Sequence, residues 1–260
     1  MCISNSVGNG GVNTPNDVRC VQLLLNMNRD RCGLASDLVV DGLWGPGTRN
    51  ALGTFCSSIG ARSDTPLTDG DETLLALRRG LPAGLIRQKL WLIMTSAGAT
   101  RIDGFFDAIL ATLARYQINT PLRMAHFLAQ IAHESGCLRY TEEIADGSAY
   151  NGRVDLGNTQ PGDGPRFKGR GLIQLTGRIN YRDYGKACGR DFENRTDPRL
   201  VATDPNLAVD VAGWFWNSRK LNDLADQDDL REITRRINGG FNGLDDRAAF
   251  LARAKWLLVG

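Results

Sequence analysis

The chain is poor in the residues that metal and redox chemistry need. It has two histidines in 260 residues, His126 and His133, and no HExxH pattern. Their spacing puts them near one helical face. No third ligand accompanies them, so packing or capping is the better reading, and neither metal nor cofactor is expected. The six cysteines (Cys2, Cys20, Cys32, Cys56, Cys137, Cys188) are scattered, with no CxxC pair. Free, mostly buried thiols suit a chain made in a reducing cytosol. Four of the six fall within the first 56 residues, where a local bridge stays open. No apolar run nears the ~18 residues of a membrane span. The stretch 1–14 is polar and lacks the basic start and apolar core of a signal peptide. The expected product is therefore cytoplasmic, and a substrate beyond the membrane would require delivery by another protein. Charge of one sign is also scarce, at a formal net of +2, which argues against the concentrated basic patch of a nucleic-acid binder.

What is present is mostly helical periodicity. A helix is expected over 16–28, capped by Asn16 or Asp17, with Val18, Val21, Leu24 and Leu25 as its apolar stripe. The turn-rich stretch 39–46 leads to a second helix capped by Thr48, with Ala51, Leu52 and Phe55 inward. A third, short helix follows Thr68–Glu72, with Leu74, Leu75 and Leu77 at its core positions. This small three-helix bundle holds no cluster of acid–base candidates. Leu81-Pro82-Ala83-Gly84 is a boundary signal. It divides the chain into a module at 1–85, a connecting segment at 86–99 and a second domain at 100–260. There, helices are expected near 102–116, 121–135, 205–218, 228–238 and 245–257. A Gly/Asn/Asp/Pro-rich loop occupies 150–166, and one strand is expected around Gln174. The fold class is mainly α, with an α+β second domain dominated by helix.

The chemistry concentrates in that domain. Glu134 ends the 121–135 helix, four residues after Gln130 and beside Phe127 and Ile131. Apolar neighbours disfavour a charged carboxyl, which suits a general acid. Glu143 lies nine residues on, past Ser135-Gly136, on an irregular and wetter segment suited to a general base. Glu142 competes for that role on spacing alone. Two carboxyl groups in different environments on opposite sides of one bond are what glycoside hydrolysis needs. Gln174 and Thr176 alternate with Ile173 and Leu175, so a strand would place both polar groups on one face. Gly169 and Gly171 flank Arg170 and would let a substrate approach the backbone. Asn238, in the run Ile237-Asn238-Gly239-Gly240, is a candidate hydrogen-bonder, and Arg247 a candidate partner for a carboxylate.

Several ordered motifs carry a resemblance. They are the run from Phe127 to Gly136, then Tyr140-Thr141-Glu142-Glu143, Gly169 to Gly177 with Asn180-Tyr181, Trp214-Phe215-Trp216, and Ile237 to Gly240. Together they resemble the catalytic domain of glycoside hydrolase family 19, in its bacterial and phage lysozyme-like branch. The resemblance implies a lysozyme-like helical fold with a small β-hairpin region and an inverting mechanism. It places the general acid on Glu134, the base on Glu143, the water-holding hydroxyl on Thr176 and the substrate-contacting amides on Gln174 and Asn238. Tyr140, Arg170 and Arg247 complete the expected substrate side, and Glu142 becomes a bystander. Residues 16–80, through Asp17 to Asn26 and Val40 to Thr48, resemble the small three-helix peptidoglycan-binding module. Asp41, Gly42 and Trp44 are its expected wall-binding residues.

Together the modules look like a modular phage endolysin. The implied partner is bacterial peptidoglycan, cut between N-acetylmuramic acid and N-acetylglucosamine in the periplasm at host lysis. No nucleic acid and no membrane span are expected, the chain is expected to be monomeric, and release is expected to depend on a separate holin-type membrane protein. The alternatives are a chitinase, a lytic transglycosylase, a non-catalytic wall-binding protein and, last, a zinc amidase or peptidase.

Overall fold

In the computed structural model, which describes residues 2–259, the chain folds into two units. One comprises the residues up to Ser96 together with the segment from Ala252 onward; the other runs from Ala97 to Leu251. Thirteen α-helices occur among the described residues, and β structure there is limited to isolated bridges.

In the first unit the helices are α1 (Pro15–Met27), α2 (Pro46–Ser58), α3 (Glu72–Arg79) and α4 (Arg87–Ile93). Proline opens α1 and α2, where its missing N–H costs no bond. The cap of α1 is Thr14, not Asn16 or Asp17. Asp17 is instead buried and accepts from the Ser4 and Asn5 amides at 2.8 and 2.9 Å. Thr48 likewise does not cap α2. It is buried inside the helix, bonded by Gln22 Nε2 at 3.1 Å. Val18, Val21, Leu24 and Leu25 of α1 are fully buried, with Leu52, Phe55, Leu74 and Leu77 contributed by α2 and α3. Residues 86–99 contain α4, which packs on α1 and adds Leu90, Leu92 and Ile93 to this core.

The second unit contains α5 (Ala99–Arg115), α6 (Pro121–Glu134), α7 (Asp163–Arg166), α8 (Arg178–Cys188), α9 (Leu200–Thr203), α10 (Pro205–Ser218), α11 (Leu221–Asp226) and α12 (Leu230–Asn238). The last helix, α13 (Leu244–Leu258), begins in this unit. Thr120 caps α6 through the Arg123 amide at 3.2 Å. That helix buries Ala125, Phe127, Leu128, Ala129, Ile131 and Ala132. Phe127 meets Trp216 of α10 edge-on at 5.5 Å. Each such fully buried large side chain contributes about 1.5–3 kcal/mol. α10 packs chiefly on α5.

Candidate active site

After Glu134 the chain reverses through an unusual turn. Gly136, Cys137 and Leu138 all take positive φ, at 56°, 58° and 64°. Each non-glycine residue in that region costs about 1–2 kcal/mol. Burial of both side chains offsets this, at 5% exposure for Cys137 and 2% for Leu138. Ser135 fastens the turn: its hydroxyl accepts from the Leu138 amide at 2.8 Å, and its carbonyl accepts from the Arg139 and Tyr140 amides. The next segment then runs beside 169–171. The Glu143 amide donates to the Gly169 carbonyl at 2.9 Å and the Gly171 amide to the Thr141 carbonyl at 2.8 Å.

The strand expected around Gln174 is replaced by a tight turn. Arg170 bridges Glu142 on one side and Leu175 on the other, with residues 171–174 looping between. Gln174 has φ 54°, so it does not alternate with Thr176 on a pleated face. The cause is Gly171. At φ 76° it lies so close to α10 that a Cβ there would come within 2.3 Å of Val211 Cγ1. Gly171 therefore serves packing on α10, whereas Gly169 faces polar side chains. A Cβ on Gly169 would lie 3.0 Å from Gln174 Oε1, 3.2 Å from Glu143 Oε2 and 3.3 Å from Thr176 Oγ1. Those three polar side chains thus converge over one bare backbone position. Thr176 Oγ1 also donates to the Gln174 carbonyl at 2.9 Å.

Glu143 is held by its surroundings. Its Oε2 accepts from the Gly169 amide at 3.2 Å and its Oε1 from the Tyr150 hydroxyl at 3.0 Å. Lys168 Nζ fixes the backbone by donating to the Glu143 and Ala145 carbonyls. The Tyr150 phenol is pushed above its ordinary range, by burial first and then by the Glu143 carboxylate beside it, and so remains a donor. Neither Tyr150 nor Lys168 stands out in the sequence, although Tyr150 is the one aromatic residue within 150–166. That stretch is not an open loop. Asn158, fully buried, donates to the Tyr150 carbonyl and accepts from the Arg178 amide, both at 2.9 Å. Asn151 accepts from the Gly164 amide at 2.9 Å, and Asp163 is ion-paired with Arg178. Burial opposes charge on Asp163, but the Arg178 bonds and the Gln160 amide together outweigh it and hold its carboxyl below the usual range.

Glu134 belongs to a second cluster. Its side chain, 19% exposed, is ion-paired with the buried guanidinium of Arg247 on α13, which also bonds the Gln130 amide oxygen. Phe127 and Ile131, the expected apolar neighbours, are buried in the core, and the carboxyl meets a guanidinium. Asn238 is exposed and donates to the Asn242 carbonyl at 3.4 Å. The same loop approaches α6 at Gly243, where a Cβ would strike the His133 ring. His133 hydrogen-bonds Asp246 at 2.6 Å and His126 bonds Asp228 at 2.8 Å, so each histidine has its own carboxylate. Tyr140 is 38% exposed, and its carbonyl lies 3.5 Å from Gln174 Nε2.

Glu142 and Arg170 bond each other. Arg170, expected on the substrate side, is 3% exposed. Its guanidinium donates to Glu142 at 2.9 Å, to the Arg166 carbonyl at 2.8 Å and to the Tyr181 hydroxyl at 3.3 Å, which builds it into the wall. In the first unit, Asp41 accepts from Gln22 and from the Leu43 amide, both at 2.8 Å. Gly42, at φ 80°, passes too close to the Pro15 carbonyl to carry a side chain. Both therefore shape the turn. Trp44 lines a cavity of about 460 Å³ with Asn9, Arg49, Asn50, Thr54 and Ser57.

A held carboxylate, a hydroxyl and an amide over bare backbone, with an arginine-paired carboxyl at the end of α6, form the candidate site of a glycosidase. The chain belongs to glycoside hydrolase family 19. A family profile described as "Chitinase class I" matches residues 121–228. A glycosyl hydrolase family 19 domain-containing protein of Haemophilus influenzae is 33% identical over 177 residues, which is 56% of this chain and 85% of the relative. An endochitinase of Arabidopsis thaliana is 39% identical over 135 residues, covering 52% of this chain and 43% of the plant protein, so the chain spans under half of that relative. Among solved structures, chitinase C from Streptomyces griseus superposes with a TM-score of 0.56 at 23% identity, over 69% of this chain and 79% of the other. At that identity the likeness is one of fold.

Proposed function

We propose that the chain is a peptidoglycan muramidase of the endolysin type. It would hydrolyse the β-1,4 bond between N-acetylmuramic acid and N-acetylglucosamine with inversion. The observation that carries the chemistry is the convergence of Glu143, Thr176 and Gln174 over Gly169. Glu134, in its protonated form, gives that proton to the leaving glycosidic oxygen as the C1–O bond breaks. Arg247, which pairs with that carboxyl in the structure, stabilises the carboxylate that remains. Glu143 takes a proton from a water held by Thr176 Oγ1, and the water oxygen forms the new bond to C1 from the opposite face. Attack by water from that face inverts the anomeric centre. Tyr150 and the Gly169 amide aim the Glu143 carboxylate, and Gln174 is placed to hold the substrate's N-acetyl group.

Support for peptidoglycan comes from the first unit. An indole beside amide and hydroxyl side chains, as around Trp44, suits a glycan that offers both an apolar face and hydrogen-bonding groups. In the full chain, Trp44→Ala is expected to reduce retention on insoluble cell walls severalfold and to leave turnover of soluble fragments unchanged. A cosedimentation assay run beside a reducing-sugar assay checks this, and equal loss in both would refute a tethering role.

A chitinase is the second reading, favoured by the Arabidopsis endochitinase among the relatives. Mass spectrometry of digested peptidoglycan and of chitin oligomers separates the two. Reducing muramic acid ends support the muramidase. Cleavage of chitin oligomers alone would establish the chitinase, and anhydro ends a transglycosylase. Thr176→Val is expected to lower kcat about 10-fold or more with KM nearly unchanged, since the lost hydroxyl orients water rather than sugar. A rise in KM alone would instead make Thr176 a substrate contact.

A further inference from the structure

The wall that carries Gly169 has a second side. Behind Arg170 lies a cavity of about 510 Å³ whose lining includes four arginines, Arg166, Arg170, Arg195 and Arg199, against one carboxylate, Asp197. None of them has a part in the glycosidic step. They are not equally free. Arg170 is buried and committed to Glu142, Tyr181 and two backbone carbonyls. Arg199 is committed to Asp197, at 2.8 Å through Nε and 2.7 Å through Nη2. Arg166 gives one N–H to the Glu193 carbonyl at 2.8 Å. Arg195 is 88% exposed, with only a 4.0 Å approach to Asp191. Arg166 and Arg195 thus keep guanidinium donors available at a cavity lined by four arginines and one carboxylate.

We propose that this cavity binds carboxylate groups carried by the substrate, namely those of the peptide stems on the glycan. The inference rests on the peptidoglycan reading above. Three observations carry it. Asp197 shows that a carboxylate is already accommodated among these arginines; Arg199, and at longer range Arg170, hold it ionised. The volume falls within the roughly 300–1,000 Å³ of small-ligand sites, enough for a short peptide. The cavity also shares its wall with the reaction: the Gly169 side of the 165–170 segment faces Glu143 and Thr176, while the Arg166 and Arg170 side chains line the cavity. A glycan held over Gly169 therefore has a cationic receptor within reach of its side branches. Guanidinium groups grip carboxylates through paired hydrogen bonds. A neutral N-acetylglucosamine polymer has nothing to place there, so the cavity acts as a specificity determinant for stem-bearing strands.

The test uses the full chain and the double variant Arg166→Gln/Arg195→Gln, whose side chains lie outside the core and outside the catalytic set. On soluble glycan fragments with intact stems, KM is expected to rise about 10-fold, the weight of one good charge-assisted contact, with kcat within twofold. On the same fragments stripped of peptide by an amidase, neither constant should change. Equal effects on both substrates, or none on either, would overturn the proposal. Calorimetric titration of the wild-type chain with a free acidic stem tetrapeptide decides the ligand directly. Binding that disappears when the peptide's carboxylates are amidated, and in the double variant, supports it. Inorganic phosphate competing as well as the peptide would reduce the cavity to a general anion site and overturn it. If product analysis shows cleavage of chitin oligomers only, the muramidase reading fails by itself, and the titration still decides separately whether the cavity takes the peptide.

Discussion

Glu134→Gln is expected to lower turnover of peptidoglycan by on the order of 10²–10⁴-fold, the contribution of a positioned proton donor, while the chain remains folded. The amide is close in size and its oxygen can still accept from Arg247, so the ion-paired cluster survives as a hydrogen-bonded one. What is lost is the transferable proton. Glu143→Gln should match it in size for a different reason. The amide keeps one acceptor oxygen, for either Tyr150 or the Gly169 amide, and cannot take a proton from water. Glu142→Gln is the control. Its carboxylate is used by Arg170 and Lys168 in the wall, so activity should fall only a few fold. Initial rates of reducing-end release, with thermal melts to confirm folding, make the comparison. An active Glu143→Gln beside an inactive Glu142→Gln would move the base by one residue and dismantle the arrangement over Gly169.

Arg247→Met should be the most destabilising single change at the site. The guanidinium is 1% exposed and holds Glu134 and Gln130 together. Removing one partner of a buried ion pair leaves the other uncompensated, at a cost of about 3–5 kcal/mol. The low end applies because Glu134 keeps some contact with water. For a unit of this size about 3 kcal/mol corresponds to a drop in Tm of roughly 6–12 °C. The double variant Glu134→Met/Arg247→Met should recover much of that loss, since apolar replacement of a whole buried pair is often neutral or better. It should stay inactive. A Tm unchanged in Arg247→Met would show that the pair is not coupled to folding.

The parts of this molecule visible in its sequence are those with aliphatic stripes. α1, α5, α6 and α10 lie within a few residues of where spacing puts them, because Leu, Ile and Val at 3.6-residue intervals have one way to be buried. α8 is not visible there. Its buried face is Tyr181, Tyr184 and Gly185, with no side-chain cap at Gly177, so neither periodicity nor a start signal announces it. The turn at 171–174 imitates a strand because Ile173-Gln174-Leu175-Thr176 alternates as a strand does. What decides against pleating is contact between Gly171 and Val211, far apart in sequence, which local pattern cannot report. Glu134 and Glu143 are legible as a pair, and resemblance to the family selects Glu143 over Glu142. Tyr150 is not legible, since its place beside Glu143 depends on how Asn158 and Asp163 fold the following loop.

The left-handed turn at Gly136–Leu138 has a consequence for how sequences of this kind can diverge. Surface connections between helices ordinarily accept insertions and deletions. This one should not. It joins the two carboxyl-bearing segments, and its shape is set by three successive residues in a region that L side chains avoid, two of them sealed in the core. One added residue would shift Cys137 and Leu138 out of their buried places and carry Glu143 off the Gly169 backbone. Length variation across active homologues should therefore collect on the 144–165 side of the site, where polar side chains do the fastening and can be rearranged, and should be close to zero between Glu134 and Glu143.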